Sequence, residues 1–221
     1  MPDPAVIPRA VIQRMSLYLR QLERLDRDGV ETISSAQLGE AIGASSAQVR
    51  KDLDYFGQFG QRGIGYNVAT LTRALRSILA LEGEWRVALV GAGNIGRALA
   101  TARILRERGF RIVALFDSDP RKEACTWAGL RVQPMGDLKR VCREQHITVG
   151  IIAVPSDAAQ SVAEQLVEAG VRGILNFAPV RLNVPAGVEV SDVDLASQLQ
   201  QLAFLLGGRR GEQHQSVIRS P

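Results

Sequence analysis

The stretch that most constrains this chain is WRVALVGAGNIG, residues 85–96. Residues 86–90 are a short apolar run with two valines, too short for a buried helix, and the run stops at Gly91. It reads as a buried strand. Gly91, Gly93 and Gly96 complete G-x-G-x-x-G, with Ala92, Asn94 and Ile95 between them. Residues 97–107 (RALATARILRE) then carry helix formers with apolar positions at helical spacing. Strand, glycine turn and helix in that order open a dinucleotide-binding βαβ unit. The first glycine makes the tight turn, the second lets the backbone approach a pyrophosphate, and the third lets helix pack on strand. Free N–H groups at the helix start face the phosphates. The next β-branched run, residues 110–116 (FRIVALF), ends in Asp117. That is about twenty residues past the last glycine, where an acid accepts the ribose hydroxyls of an adenosine. A carboxylate there repels a 2′-phosphate, so the pattern favours NAD+ and NADH over NADP.

The chain upstream is of a different kind, and 221 residues leave room for two modest domains. Within residues 8–26, Ile12, Met15, Leu19, Leu22 and Leu25 recur at spacings of three and four behind Pro8, which predicts an amphipathic helix. After Asp28 and Gly29, Ser34 or Ser35 caps a second short helix over 36–42, and Gly43 ends it. Ser45 or Ser46 caps a third, in which AQVRKDLDYF buries Val49, Leu53 and Phe56 and presents Gln48, Arg50, Lys51 and Asp54. Two short helices joined by a tight Gly-containing turn make a helix-turn-helix, whose second helix enters a major groove. A plain three-helix bundle with solubilising charges is the alternative. Four glycines punctuate GQFGQRGIGY, residues 57–66, which predicts a small hairpin. Directly after a recognition helix such a hairpin is a wing, with Gln61 and Arg62 at its tip. The candidate contacts to double-stranded DNA are therefore Ser46, Gln48, Arg50, Lys51, Gln61, Arg62 and Tyr66. A further helix runs from Thr70 to Gly83, which divides a DNA-binding domain, 1–82, from a dinucleotide domain, 83–190. The net charge of +4 permits nucleic-acid binding without requiring it.

Beyond Asp117 the pattern predicts a short strand at 130–132, a helix capped by Asp137 and running to Gln145, and a buried strand at 147–154. A helix then follows Pro155, and another strand spans 173–176. Loops at the C-terminal ends of parallel strands line the ligand crevice, so Val154, Pro155, Asn176 and Phe177 are candidates for the nicotinamide half. In 191–207, Asp192 or Asp194 caps a helix whose Leu195, Leu199, Leu202 and Leu206 form one stripe while Phe204 and Leu205 lie off it. A helix apolar on more than one face needs cover on more than one side, which a partner subunit supplies. The polar tail, 208–221, has no packing pattern and is expected to be disordered. No apolar run approaches a membrane span and no signal segment opens the chain, so the expected location is the cytoplasm, without membrane contact. Cys125 and Cys142 are not spaced as metal ligands, and no metal is expected. A nicotinamide-dependent dehydrogenase would need a substrate domain and a general acid or base, yet the histidines are only His146 and His214. A CoA-binding module is the third reading, from the strand end at Val154 and Pro155.

Taken together, QVRKDL at 48–53, Tyr55-Phe56-Gly57, RGIGY at 62–66, VGAGNIG at 90–96, Phe116-Asp117 and GILNFAP at 173–179 resemble the redox-sensing Rex repressors, over residues 8 to about 206. The resemblance implies an α/β protein with an N-terminal winged-helix domain, then a Rossmann doubly wound parallel sheet, then a C-terminal helix swapped between subunits. It implies a homodimer on a palindromic operator, compatible with NAD+ and released by NADH, and not an enzyme. It also implies that Arg20 and Asp194 act as a switch, pairing across the dimer in the DNA-bound arrangement. One departure stands out. Family members often carry a tyrosine in the helix after the glycine turn that helps sense the nicotinamide, and here that position is Ala102.

Overall fold

The computed structural model describes residues 7–61, 63–123 and 125–217, with backbone alone at Gln61 and 208–217. The chain divides into two compact units, Met1–Gly83 and Glu84–Pro221.

The first unit consists of α1 (Arg9–Arg27), β1 (Thr32–Ile33), α2 (Ser35–Glu40), α3 (Ser46–Asp54), β2 (Gly60–Gln61), β3 (Gly65–Asn67) and α4 (Val68–Ile78). In α1 the buried stripe is Val11, Met15, Tyr18, Leu19 and Leu22, whereas Ile12 is 36% exposed. The helix is thus turned from the predicted phase, and Tyr18 enters the core. Ser34 opens α2 with a reciprocal capping box to Gln37, and Ser45 opens α3 by accepting the Gln48 N–H. Between them Gly39 is obligatory: a Cβ there would sit 2.5 Å from the Ala44 carbonyl oxygen. The hairpin forms as expected, with β3 antiparallel to β2 and, on its other side, to β1, a strand too short to show a pattern. Helix α4 starts earlier than predicted because Asn67 caps it, and ends at Ile78 rather than Gly83. Ala80 turns left-handed (φ 54°) and the Leu81 N–H closes back on the Arg76 carbonyl.

The second unit runs β4 (Trp85–Val90), α5 (Asn94–Thr101), α6 (Arg103–Glu107), β5 (Phe110–Asp117), β6 (Thr126–Trp127), β7 (Leu130–Pro134), α7 (Leu138–Glu144), β8 (Val149–Ile152), α8 (Ser156–Glu168), β9 (Gly173–Asn176), β10 (Glu189–Asp192) and α9 (Leu195–Val217). Its sheet has the order β10-β9-β8-β4-β5-β7-β6, parallel except for β6. Chain order reverses at β4, between β5 and β8, which is where doubly wound sheets open a crevice. Ala88, Val90, Ala114, Phe116 and Ile152 pack with residues of α7 and α8 in one cluster. Val87, Leu89, Leu115 and Ile151 form another, against which Leu99 and Ala100 of α5 lie partly buried.

Four expectations need correction here. The helix over 97–107 starts at Asn94 and breaks at Ala102 (φ −72°, ψ 101°). The Thr101 hydroxyl donates to the Arg97 and Ala98 carbonyls, while the Ala102 N–H turns to Leu99, so a side chain competes for the next carbonyl of the ladder. Asp137 stands at the N-cap position of α7, but its side chain accepts no hydrogen bond from the helix backbone; its carboxylate takes Arg140 at 3.0 Å, and a 3-10 turn over Met135–Asp137 leads into α7. The strand at 147–154 is shorter, Val149–Ile152. Helix α9 does not stop at Leu206 but continues to Val217, through much of the segment expected to be disordered. Residues 218–221 lie outside the described residues. Among the described residues no helix is long and apolar enough to cross a membrane.

Candidate functional site

The three glycines after β4 do different things. Gly91 has φ +106°, and a Cβ on it would lie 2.2 Å from the Ala153 carbonyl oxygen, so only glycine lets the end of β4 run beside the end of β8. A Cβ on Gly96 would lie 1.8 Å from the Gly91 oxygen, which is how α5 seats against the turn. At Gly93 φ is −93°, and no atom lies within 4 Å of where a Cβ would go. Neither backbone nor packing demands glycine there. What its absent side chain leaves is open space beside the first turn of α5, where no side chain caps the backbone N–H groups.

Asp117, at the end of β5, is 8% exposed. Its Oδ2 accepts the Ala92 N–H at 2.6 Å and Lys122 Nζ at 2.9 Å, and its Oδ1 accepts the Asp119 N–H at 2.8 Å. Burial works to raise its pKa, but the Asp119 N–H, Lys122 and the Ala92 N–H outweigh it and hold the carboxylate below its ordinary range. A carboxylate has about four lone-pair sites, so one on Oδ1 stays open. Lys122 is a neighbour the sequence reading missed, since a lysine in a short connection carries no pattern.

Of the strand-end candidates, Val154 lies beside the turn, its Cγ1 3.1 Å from a Cβ at Gly91. Pro155 is exposed at the start of α8. Phe177 is half-buried against the second cluster. Asn176 is different. It is fully buried, donating to the Ala178 and Val180 carbonyls and to Asp192 Oδ1 (3.1, 2.8 and 2.8 Å) and accepting the Ala178 N–H. Its backbone oxygen takes the Val193 N–H. It shapes the loop and ties it to β10, and both hydrogens of its amide nitrogen are taken within the chain.

In the first unit α3 exposes Arg50 and Lys51, with Ser46 half-buried at its start. Arg50 donates to Ser35 Oγ at 3.0 Å. A cleft of about 700 Å³ between α3 and the hairpin is lined by Arg50, Asp54, Gln58, Gly60, Ile64 and Tyr66. Tyr66, expected on the surface, is 8% exposed, its ring packed over Gly60 within the core, and burial raises its pKa. Gln61 lies in β2, and Arg62 falls outside the described residues. Gln48 is half-buried and donates Nε2 to Asp52 Oδ1 at 2.6 Å. Asp52, fully buried, also accepts Arg14 Nε and Nη2 at 2.5 and 2.8 Å and the Tyr18 hydroxyl at 3.0 Å.

Arg20 is exposed on α1. Asp194 caps α9, accepting the Ser197 N–H and hydroxyl at 2.9 and 2.5 Å. Along α9, Leu195, Leu199, Leu202, Phe204, Leu205 and Leu206 are 55–82% exposed, an apolar surface that nothing among the described residues covers. Among the described residues no three His, Cys, Asp or Glu gather as metal ligands.

Comparison with known proteins matches both units. Residues 6–54 fit the family described as putative DNA-binding protein N-terminus, and residues 82–180 the CoA binding domain. The redox-sensing transcriptional repressor Rex of Desulfitobacterium hafniense is 52% identical over 204 residues, 92% of this chain and 97% of that protein. The Rex of Streptomyces coelicolor is 45% identical over 94% of this chain and 80% of its own. Among solved structures, RSP in complex with β-NAD+ and operator DNA matches with a TM-score of 0.89 at 34% identity, covering 97% of this chain and 99% of that one. RSP in complex with β-NADH matches with a TM-score of 0.85 at 33% identity, covering 95% and 98%. With half its residues shared over nearly the full length of such a relative, the chain belongs to the Rex family of redox-sensing transcriptional repressors.

Proposed function

We propose that this repressor, which is a regulator and not an enzyme, holds a palindromic operator as a homodimer while NAD+ occupies its crevices and lets go when NADH replaces it. The observation that carries this is the pairing of Gly93 with Asp117: a glycine the fold does not need, opening onto a helix start, beside a buried acid with one acceptor site open. The geometry fits a dinucleotide. The turn Gly91, Ala92, Gly93, Asn94, Ile95 and Gly96 holds the pyrophosphate, and Asp117 takes a ribose hydroxyl with Lys122 beside it. Val154, Pro155 and Phe177 line the nicotinamide side, with Asn176 shaping that loop from beneath. NAD(H) supplies the signal, the redox state of its ring. The Ala102 methyl cannot do what a phenol does in sensing that ring, so this chain reads it through other groups.

On DNA, Arg50, Lys51, Ser46 and Gln48 of α3 face the major groove and Gln61 and Arg62 of the wing reach the backbone; Tyr66 supports the wing from inside. The exposed apolar surface of α9 is covered by the partner subunit, into which the helix is swapped. As a regulator of transcription the protein works in the cytoplasm.

The test is an anisotropy titration, at one fixed salt concentration, of duplexes selected from a randomised palindromic pool, with NADH, NAD+ and CoA as additives. NADH is expected to weaken binding at least about five-fold relative to NAD+, the lower end of allosteric coupling, and CoA to leave it unchanged. Equal affinity in NADH and NAD+ rejects the proposal, and a CoA response favours the CoA reading.

A further inference from the structure

The carboxylate of Asp52 sits at the centre of the first unit with every lone pair in use. Arg14 of α1 meets it in a bidentate pair, Tyr18 of α1 adds its hydroxyl, and Gln48, one turn earlier on α3, adds its amide nitrogen. Three of these four bonds come from α1 and fix α3 against it. The fourth reaches a side chain on the helix that enters the groove. An amide is symmetric in shape but not in chemistry, and a free glutamine can present either its oxygen or its nitrogen to a base. Beside a buried carboxylate it cannot: oxygen against oxygen would be repulsive, so Nε2 faces Asp52 and Oε1, which diverges from it at Cδ, turns away.

Resting on the DNA-binding reading above, we infer that Asp52 is a positioning residue for base recognition: it holds Gln48 with its amide oxygen toward the groove, so that each half-site is read at one position for a base offering an N–H donor. In the major groove those donors are adenine N6 and cytosine N4. The remaining Gln48 N–H is then placed to serve adenine N7, the bidentate pairing that singles out adenine. Arg14 and Tyr18 act one step further back, by keeping the carboxylate charged and oriented.

The experiment is selection from a pool of duplexes with randomised palindromic half-sites, using full-length wild type, Gln48→Met, Asp52→Leu and the double variant, with bound duplexes sequenced. Leucine has the shape of the aspartate without an acceptor, so it releases the Gln48 amide. Preference is a ratio between duplexes bound by the same sample, so a loss of folded protein does not move it. Wild type is expected to prefer adenine or cytosine at one position per half-site. Gln48→Met and Asp52→Leu should each reduce that one preference by roughly tenfold, as for loss of a bidentate base contact. The double variant should lose no more than Gln48→Met. Gln48→Met keeps the buried carboxylate in place and so remains informative should Asp52→Leu not fold. Unchanged preference at every position in Gln48→Met overturns the inference, as does an Asp52→Leu protein that keeps the Gln48 position intact. A wild type that enriches no sequence at all would instead reject the DNA-binding reading on which the inference rests.

Discussion

Asp52 and Asp117 are both buried acids, one in each unit, and both are held below the ordinary carboxylate range. In each, burial pushes the pKa up and hydrogen bonds more than reverse it. They differ in what is left over. Asp52 is completely enclosed and its four acceptor sites are filled by Arg14, Tyr18 and Gln48. Asp117 keeps a small exposed area and takes three bonds. A buried charge is costly unless fully partnered; the unfilled site on Asp117 leaves room for the ribose hydroxyl proposed above, whereas the saturated one at Asp52 marks a joint between helices. Asn176 makes the same point from the other side: expected to touch the cofactor, it is fully buried and has spent its amide N–H groups on its own chain.

The largest effect is expected from Asp52→Ala. It leaves the Arg14 guanidinium, 26% exposed, and the Tyr18 hydroxyl without their acceptor, at a cost of about 3–5 kcal/mol to the first unit. Denaturant unfolding checks this, and NADH affinity of the protein that remains folded should not change. A cost below about 1 kcal/mol would mean the joint is better solvated than its burial says. The same bonds predict an acid limb. A carboxylate with depressed folded pKa contributes stability that is fully present above its unfolded pKa of about 3.9 and lost as pH falls through the lower folded value. Melting curves from about pH 6 to 2.5 should therefore drop below about pH 4, and Asp52→Asn should flatten the drop in the first unit.

Asp117→Ala should cost less in stability but weaken NADH by about 1.5–3 kcal/mol, the range for a hydrogen bond to a charged group. It should also narrow the gap to NADPH, because Lys122 is freed toward a 2′-phosphate. Adding Lys122→Ala should remove that gain. Equal affinity of wild type for NADH and NADPH would take the discriminating role away from Asp117.

The smallest effects come from Asp194, an acid that is exposed. Losing its cap should loosen the first turn of α9 only slightly. If it is also a switch partner, Asp194→Ala and Arg20→Ala should each shrink the difference in operator affinity between NAD+ and NADH, and the double variant should lose little more. Strict additivity, or an undiminished NADH response in both, would send the signal across the dimer by another route.

By itself the sequence determined what depends on neighbours along the chain. The glycine turn, the flanking buried strands, the capping serines Ser34 and Ser45 and the hairpin glycines are set by local backbone demands, and they stand where the pattern places them. Tertiary structure alone decided which polar groups are already satisfied. Arg14 and Asp52 are 38 residues apart, Asn176 and Asp192 are 16, and no periodicity pairs them. The same holds for β1 and β10, short strands defined by the partner they lie against. Tyr66 and Ile12 exchanged their expected inside and outside places because a small rotation of one helix or a third strand beside a hairpin moves a side chain between core and solvent. Whether a residue holds a ligand or holds the fold is a question of free hydrogen-bond capacity, and that exists only once distant segments have met.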